Sequence, residues 1–289
     1  MPWMSEDEVY VGRDFGGREV EITPDLVEYF AQAVEDRNPW YFGSSPFGGP
    51  VAPAFLFCQE VYLSLGWYLS VFGNLHAKQE WELFHPIMVG DHVSTRSLIV
   101  DRYAKREREQ VVKEVSYLGA DGRLLARSRT YQSFLMGQPA EGVVVDKDQA
   151  KASARKFEVG AGAVIEEIPG VTKEVTLEMC RRFSGPAKNY HNDREEARKL
   201  GFPDIVVEGM FSTCVVSEML TRRFGPGWYV GGRTTLNLVN ILWGGETVTA
   251  RGVIKELTPE GSHQRAHCEV WCEKPDGTIT IVGTASALV

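Results

Sequence analysis

One of the chain's six histidines lies in a polar turn, Phe183-Ser184-Gly185-Pro186-Ala187-Lys188-Asn189-Tyr190-His191-Asn192-Asp193. An apolar run follows, opening Val206-Val207-Glu208-Gly209-Met210-Phe211. An imidazole titrates near neutral pH and can move protons. Glu208, beside Gly209 at the start of an apolar helix, becomes a usable base if burial raises its pKa. Asn189 can hold a water or cap the turn, but it cannot accept a proton. Asp193, ahead of Arg194-Glu195-Glu196-Ala197, has the pattern of a helix N-cap. A weaker copy of the stretch occurs earlier: Glu35-Asp36-Arg37-Asn38-Pro39-Trp40-Tyr41, then Pro50-Val51-Ala52-Pro53-Ala54-Phe55.

The elements that must position these groups repeat as well. Thr23-Pro24-Asp25 starts a short amphipathic helix through Val27, Phe30, Ala31 and Val34. After the Gly43–Pro50 loop, a long apolar helix is expected from about Ala52. Strands follow, around Trp81–Phe84, His92–Leu98, Val111–Tyr117 and Leu124–Met136, with Asp121-Gly122 as a hairpin signal. Residues 137–160 turn to Gly, Pro, Ala, Lys and Asp without period, which reads as a linker. The programme then recurs: a short helix from Thr176, the His191 turn, an apolar helix over Val207–Phe224, and strands near Thr235–Leu242, Thr247–Glu256, His267–Cys272 and Thr278–Leu288. Gly90-Asp91 matches Gly245-Glu246, and Asp121-Gly122 matches Asp276-Gly277, both at an offset of 155 residues. Tyr41 matches His191 at an offset of 150, so five residues are inserted between that turn and the second helix. Two copies of one unit are expected, each a long helix beside a curved antiparallel sheet.

The chain has 289 residues, 43% hydrophobic and 24% charged, enough to bury a sizeable core. A net charge of −8 argues against nucleic acid as a partner. The five cysteines are scattered and lie mostly in apolar runs, the pattern of packed thiols in a cytoplasmic protein. His267, Cys268 and Cys272 alternate like a strand, so no metal is expected. The most apolar window, 51–72, contains Gln59 and Glu60, which argues against a membrane span. The acidic start of the chain has no basic segment of the kind that opens a signal peptide.

Short helix, polar turn, long helix and strands together resemble the hotdog fold. The second half is similar to the MaoC-like dehydratase and (R)-specific enoyl-CoA hydratase family, through Ser184-Gly185, Asn189-Tyr190-His191-Asn192-Asp193, Gly201-Phe202 and Glu208-Gly209-Met210. The first half resembles the non-catalytic N-terminal hotdog of two-domain members, through Asp36-Arg37-Asn38-Pro39-Trp40-Tyr41, Phe47-Gly48-Gly49 and Val51-Ala52-Pro53. The resemblance implies an α+β double hotdog. Residues 1–136 would form a non-catalytic N-terminal hotdog, 137–160 a linker, and 161–289 the hotdog carrying the site. It implies reversible water addition across the double bond of an enoyl thioester. No cofactor is expected beyond the coenzyme A of the substrate. The Gly209 amide would polarise the thioester carbonyl. Lys188 and Arg233, among the basic residues of this half, would suit the phosphates of coenzyme A. Asp193 is a further candidate there.

The family's acidic partner of the histidine falls on Pro186, which cannot titrate. Tyr41 replaces the histidine in the first half, where Asp36 is kept. His191 acting with Asn189, a carboxylate supplied by Glu208 or Asp193, an Asp36–His191 pair across the halves, or binding without hydration all follow from this gap. The expected function is an enoyl-CoA hydratase or 3-hydroxyacyl-CoA dehydratase. An acyl-CoA thioesterase using Glu208, Glu218 or Glu60, or a non-catalytic acyl-CoA-binding subunit, is the alternative. The chain could pair as a homodimer or with a hotdog partner subunit.

Overall fold

Thr23 and Thr176 open the two halves in the same way. Each hydroxyl accepts the amide three residues on, Leu26 at 3.1 Å and Met179 at 3.2 Å, satisfying a donor that the first helical turn leaves unpaired. These caps begin α1 (Pro24–Val34) and α2 (Leu177–Ser184) in a computed structural model that describes residues 9–60, 75–105, 108–135 and 154–289. After α1 the chain makes a single 3-10 turn, Pro39–Tyr41, capped by Asn38. After α2 the corresponding turn leads into α3 (Arg194–Lys199), which Asp193 caps by accepting the amides of Glu195 and Glu196. The five inserted residues are taken up here. Val51 N–H bonds to the Trp40 carbonyl and Val206 N–H to that of Tyr190, so Tyr41 and His191 occupy equivalent positions.

The main helix of the second half is α4 (Gly209–Phe224), buried on nearly every side, as expected of a helix surrounded by its own sheet. Gly225, at φ +51°, ends it before the short α5 (Pro226–Gly231). In the first half the expected helix is described only to Glu60. Its first turns carry bonds from Leu56 to Pro53, Cys58 to Phe55 and Glu60 to Phe57; the remainder of that expectation lies outside the described residues.

Among the described residues the strands form one antiparallel ten-stranded sheet. They are β1 (Glu19–Glu21), β2 (Leu75–Leu83), β3 (His92–Lys105), β4 (Arg108–Gly119), β5 (Leu124–Leu135), β6 (Glu166–Glu174), β7 (Arg233–Leu238), β8 (Thr247–Glu260), β9 (His263–Glu273) and β10 (Ile279–Leu288). Their order is β1-β3-β4-β5-β2-β7-β10-β9-β8-β6. It reads the same from both ends when β1, β3, β4, β5 and β2 are matched with β6, β8, β9, β10 and β7. The halves join through β2 and β7, with Trp81 opposite Thr234. The repeat extends to single contacts. Val51 bridges Met88 as Val206 bridges Trp243. The Asp91 carboxylate accepts Met88 N–H at 2.8 Å, as that of Glu246 accepts Trp243 N–H at 2.8 Å. Gly90 and Gly245 supply the positive φ of these turns, +96° and +85°.

Alternation did not signal β6, because Pro169-Gly170 interrupts it and shifts its register on β8 between Ile168 and Val171. Of the linker, residues 137–153 lie outside the described residues, as does Met136 at the end of the expected strand before it. Its end is tied to the second half: Asn240 brackets Arg155 with two hydrogen bonds, and Phe157 and Val159 pack on Val253, Trp271 and Ile279.

Where β10 passes β7, a Cβ at Gly283 would fall 2.0 Å from the carbonyl oxygen of Thr235. Backbone cannot yield as a side-chain tip can. Gly283→Ala is therefore expected to cost about 3 kcal/mol, the upper end of the overpacking range, read as a lowered urea midpoint.

Candidate active site

Two asparagines fix the His191 turn. Asn189 Nδ2 donates to the carbonyls of Ser184 at 2.8 Å and Ala187 at 3.1 Å, and its Oδ1 accepts His191 N–H at 2.8 Å. Asn192 is buried and doubles the arrangement, donating to the same two carbonyls at 2.9 Å each and accepting Asn189 N–H at 2.9 Å. Both side chains of the pair thus shape the loop. Asn189 positions His191 through the backbone, and its amide is committed to protein partners.

His191 Nδ1 lies 2.7 Å from the Val206 carbonyl. A carbonyl can only accept, so Nδ1 carries the proton and the neutral ring has its lone pair on Nε2. Burial pushes this imidazole down to about 4, against the opposing pull of the Val206 bond. At pH 7 the ring is a neutral acceptor.

Two residues beyond Val206, Glu208 stands at the N-cap of α4 but makes no capping bond with its side chain. Instead the carboxyl is buried and accepts Ser184 Oγ–H at 2.6 Å and Gln59 Nε2–H at 3.2 and 3.3 Å. Burial pushes it up to about 7, while the Ser184 and Gln59 hydrogen bonds hold it down. Tyr190, half-buried next to His191, is pushed up to about 12, first by desolvation and then by the charge of Glu208. Ser184 ties the groups together: its hydroxyl serves Glu208 and its carbonyl serves the turn that carries His191.

Gly209 follows directly. Its amide and that of Met210 have no acceptor among the described residues, and they sit at the positive end of a sixteen-residue helix. A Cβ at Gly209 would lie 2.0 Å from Leu238 Cδ2, so the absent side chain lets β7 come close to the helix start. The arrangement offers a carboxyl that exchanges its proton near neutrality, a neutral imidazole acceptor and an unpaired amide donor.

The other candidates lie further out. Lys188 is exposed and pairs with the Asp193 carboxylate at 3.0 Å, while Asp193 also caps α3. Arg233 is on the outer face of the sheet, in a cavity of about 630 Å³ with Lys255, His267 and Glu269, facing away from the helix side where its neighbours Thr234 and Leu236 are buried. The His191 turn and Arg233 are therefore not brought together.

The equivalent place in the first half is built differently. Tyr41 Oη donates to Asp36 Oδ2 at 2.6 Å, and Tyr229 Oη donates to the Ala52 carbonyl at 3.2 Å. Trp40, Phe47 and Tyr229 pack together there, with centroids 5.4 to 6.4 Å apart. The repeat sets Pro53 opposite Glu208, so this half has no carboxyl at the helix start. Burial raises the pKa of Asp36, opposed by the Tyr41 bond.

Residues 9–127 match the family model described as FAS1-like, dehydratase domain region. A solved structure named MaoC-like dehydratase superposes with a TM-score of 0.73 at 18% identity, covering 96% of this chain and 98% of that one. The chain has the double-hotdog fold of the MaoC-like dehydratases. A MaoC-like dehydratase from Phytophthora capsici gives 0.72 at 13% identity, covering 99% and 98%. A Mycobacterium tuberculosis protein described as having a double hotdog fold gives 0.65 at 14%, covering 98% and 97%. No curated protein sequence matches the chain significantly. Among the described residues of this double hotdog there is no metal-ligand cluster, and no helix is long and apolar enough to cross a membrane.

Sequence reasoning singled out His191, Asn189, Gly209 and Glu208, of which Asn189 is spent on its own loop. It missed Ser184 and Asn192 as organisers, though both lie inside the quoted motif. For Gln59, in the first apolar helix, the sequence carries no sign of its partner, which is 149 residues away.

Proposed function

We propose that this double hotdog reversibly hydrates an α,β-unsaturated acyl thioester of coenzyme A, with Glu208 as the group that moves the proton. The observation that carries this reading is the Glu208 carboxyl, buried at the start of α4, poised near pH 7 and immediately before the unpaired Gly209 amide. A general acid–base works best when its pKa is close to the working pH. His191, pushed down to about 4, is too weak a base for that task. Its Nε2 lone pair serves instead to hold the water. Glu208 as the carboxylate takes a proton from that water as the oxygen bonds to Cβ. The electrons of the double bond move onto the thioester oxygen, where the Gly209 N–H and the helix dipole stabilise them. The protonated Glu208 then returns a proton to Cα. Water is added across the bond and the carboxylate is restored; dehydration runs in reverse. Lys188, at the exposed rim of the turn, can meet a phosphate of coenzyme A by exchanging its Asp193 partner.

The test is a panel of enoyl-CoA and 3-hydroxyacyl-CoA esters, followed for water addition or loss with free thiol as a parallel readout. Hydration without thiol release is expected. Thiol release without hydration would mean a thioesterase. That reading is favoured by one feature: with proline at 186, a single carboxylate beside an amide donor suffices to send water onto a carbonyl. His191→Ala is expected to lower hydration kcat/KM about a hundredfold and to leave the pH of its inflection in place, since the imidazole holds the water and Glu208 carries the proton.

A further inference from the structure

The Glu208 carboxyl receives one side chain from the other half of the molecule. Gln59 lies in the helical turns that follow Pro53, and its Nε2 has three acceptors: the Phe183 carbonyl and both oxygens of Glu208, the latter at 3.2 and 3.3 Å. A backbone carbonyl and an ionised carboxylate can only accept, so the amide must turn its NH₂ toward them. One N–H is anchored on Phe183 and the other is shared by the carboxylate oxygens. The anchor is backbone of α2 next to Ser184, so Gln59 and Ser184 grip the same carboxyl from opposite halves. Neighbouring Cys58 is fully buried, with its Sγ 3.6 Å from that of Cys214 on α4. The turn bearing Gln59 is thus packed directly against the helix that bears Glu208.

We infer that Gln59 is a positioning residue which sets the ionisation of Glu208, making the first half a working part of the proton-transfer site. The inference rests on Glu208 as proton carrier, but its physical content can be measured without turnover. A donor held against a carboxylate favours the charged form, and its loss favours the neutral one. The charge of Glu208 is felt by Cys58 from the first-half turn, Cys180 from α2 and Tyr190 from the His191 loop. Burial pushes all three thiol and phenol groups upward, so they stay neutral through pH 7 and do not titrate across the range in which Glu208 does. His191 titrates well below that range. This leaves Gln59 and Ser184 as the groups that hold the carboxylate in its charged form.

The experiment is a pH titration of the carboxyl by infrared difference spectroscopy on the whole protein without substrate. The Glu208 band is identified by its absence in Glu208→Gln. Gln59→Met keeps the side-chain length and removes the donor, and Gln59→Asn keeps the donor but draws it back by one methylene. Both are expected to move the titration upward by about one pH unit, the size of one hydrogen bond to a charged group. The inflection of hydration kcat/KM should move with it, so activity falls about tenfold below the inflection and recovers above it. A residue that only supports the fold would lower activity equally at every pH. An unchanged Glu208 band in both variants, or a uniform loss of rate, overturns the inference. If the band moves but no thioester is hydrated by the wild type, the inference stands and the hydratase reading fails.

Discussion

Glu208→Gln is expected to lower hydration kcat/KM about a thousandfold, within the range for loss of a general acid–base, and to raise stability at alkaline pH. The two effects have one cause. The amide keeps the size of the carboxyl and can accept from Ser184 and Gln59, but it cannot exchange a proton. Burial raises the carboxyl from 4.5 to about 7 in the folded chain. Below pH 4.5 the group is neutral folded and unfolded and has no effect on their balance. Between 4.5 and about 7 the unfolded chain loses the proton while the folded one keeps it, so stability falls with rising pH. Above pH 7 the accumulated penalty is about 3 kcal/mol. The variant lacks this penalty. Denaturant melts of both proteins at pH 5 and pH 8.5 should show the variant gaining on the wild type at the higher pH. Loss of activity together with a gain in alkaline stability separates a functional burial of charge from a structural one.

Lys173→Met is expected to destabilise the fold by about 3–5 kcal/mol, the cost of leaving a buried charge without its partner. Lys173 is buried, with Nζ 2.9 Å from Glu218 Oε2 and donating to the Glu35 carbonyl at 2.7 Å. Glu218 on α4 is equally buried; among the described residues its other ion-pair partner is Arg222, whose side chain is mostly exposed. Burial raises Glu218, and the nearby charge of Asp36 raises it further; Lys173, with a smaller pull from Arg222, offsets both. The loss should therefore be smaller at low pH, where Glu218 and Asp36 take up protons, and larger at pH 8. The same lysine links β6 and α4 of the second half to the end of α1 in the first. Urea melts across pH 5 to 8 test this. A loss that does not grow with pH would show that Lys173 matters through packing of its stem.

The fold could be read from the chain because its signals are local and doubled. Gly90 and Gly245 mark the same positive-φ turn, and Thr23 and Thr176 mark the same cap. The five-residue insertion was visible as a change of offset and is absorbed by the stretch containing α3. Strand β6 escaped because Pro169-Gly170 breaks its alternation. In the site, residue types gave the candidates but not their state. That Glu208 is desolvated, that Asn189 is spent on its own loop, and that His191 donates to Val206 depend on packing between segments distant in sequence. Gln59 was the least legible, since a glutamine in an apolar helix carries no sign of which carboxyl it meets. Asp36 kept its place in the motif but faces Tyr41, with aromatic rings filling the space nearby.

With proline at 186 in the turn, the carboxyl proposed as proton carrier is Glu208 at the helix start. The pH dependence of hydration kcat/KM for the wild type on an enoyl-CoA ester tests that assignment. A rise through a single inflection near pH 7, absent from the residual rate of Glu208→Gln, is the expected result. A rate that rises near pH 4 and is flat through pH 7, or a Glu208→Gln variant that keeps the wild-type rate, would contradict it.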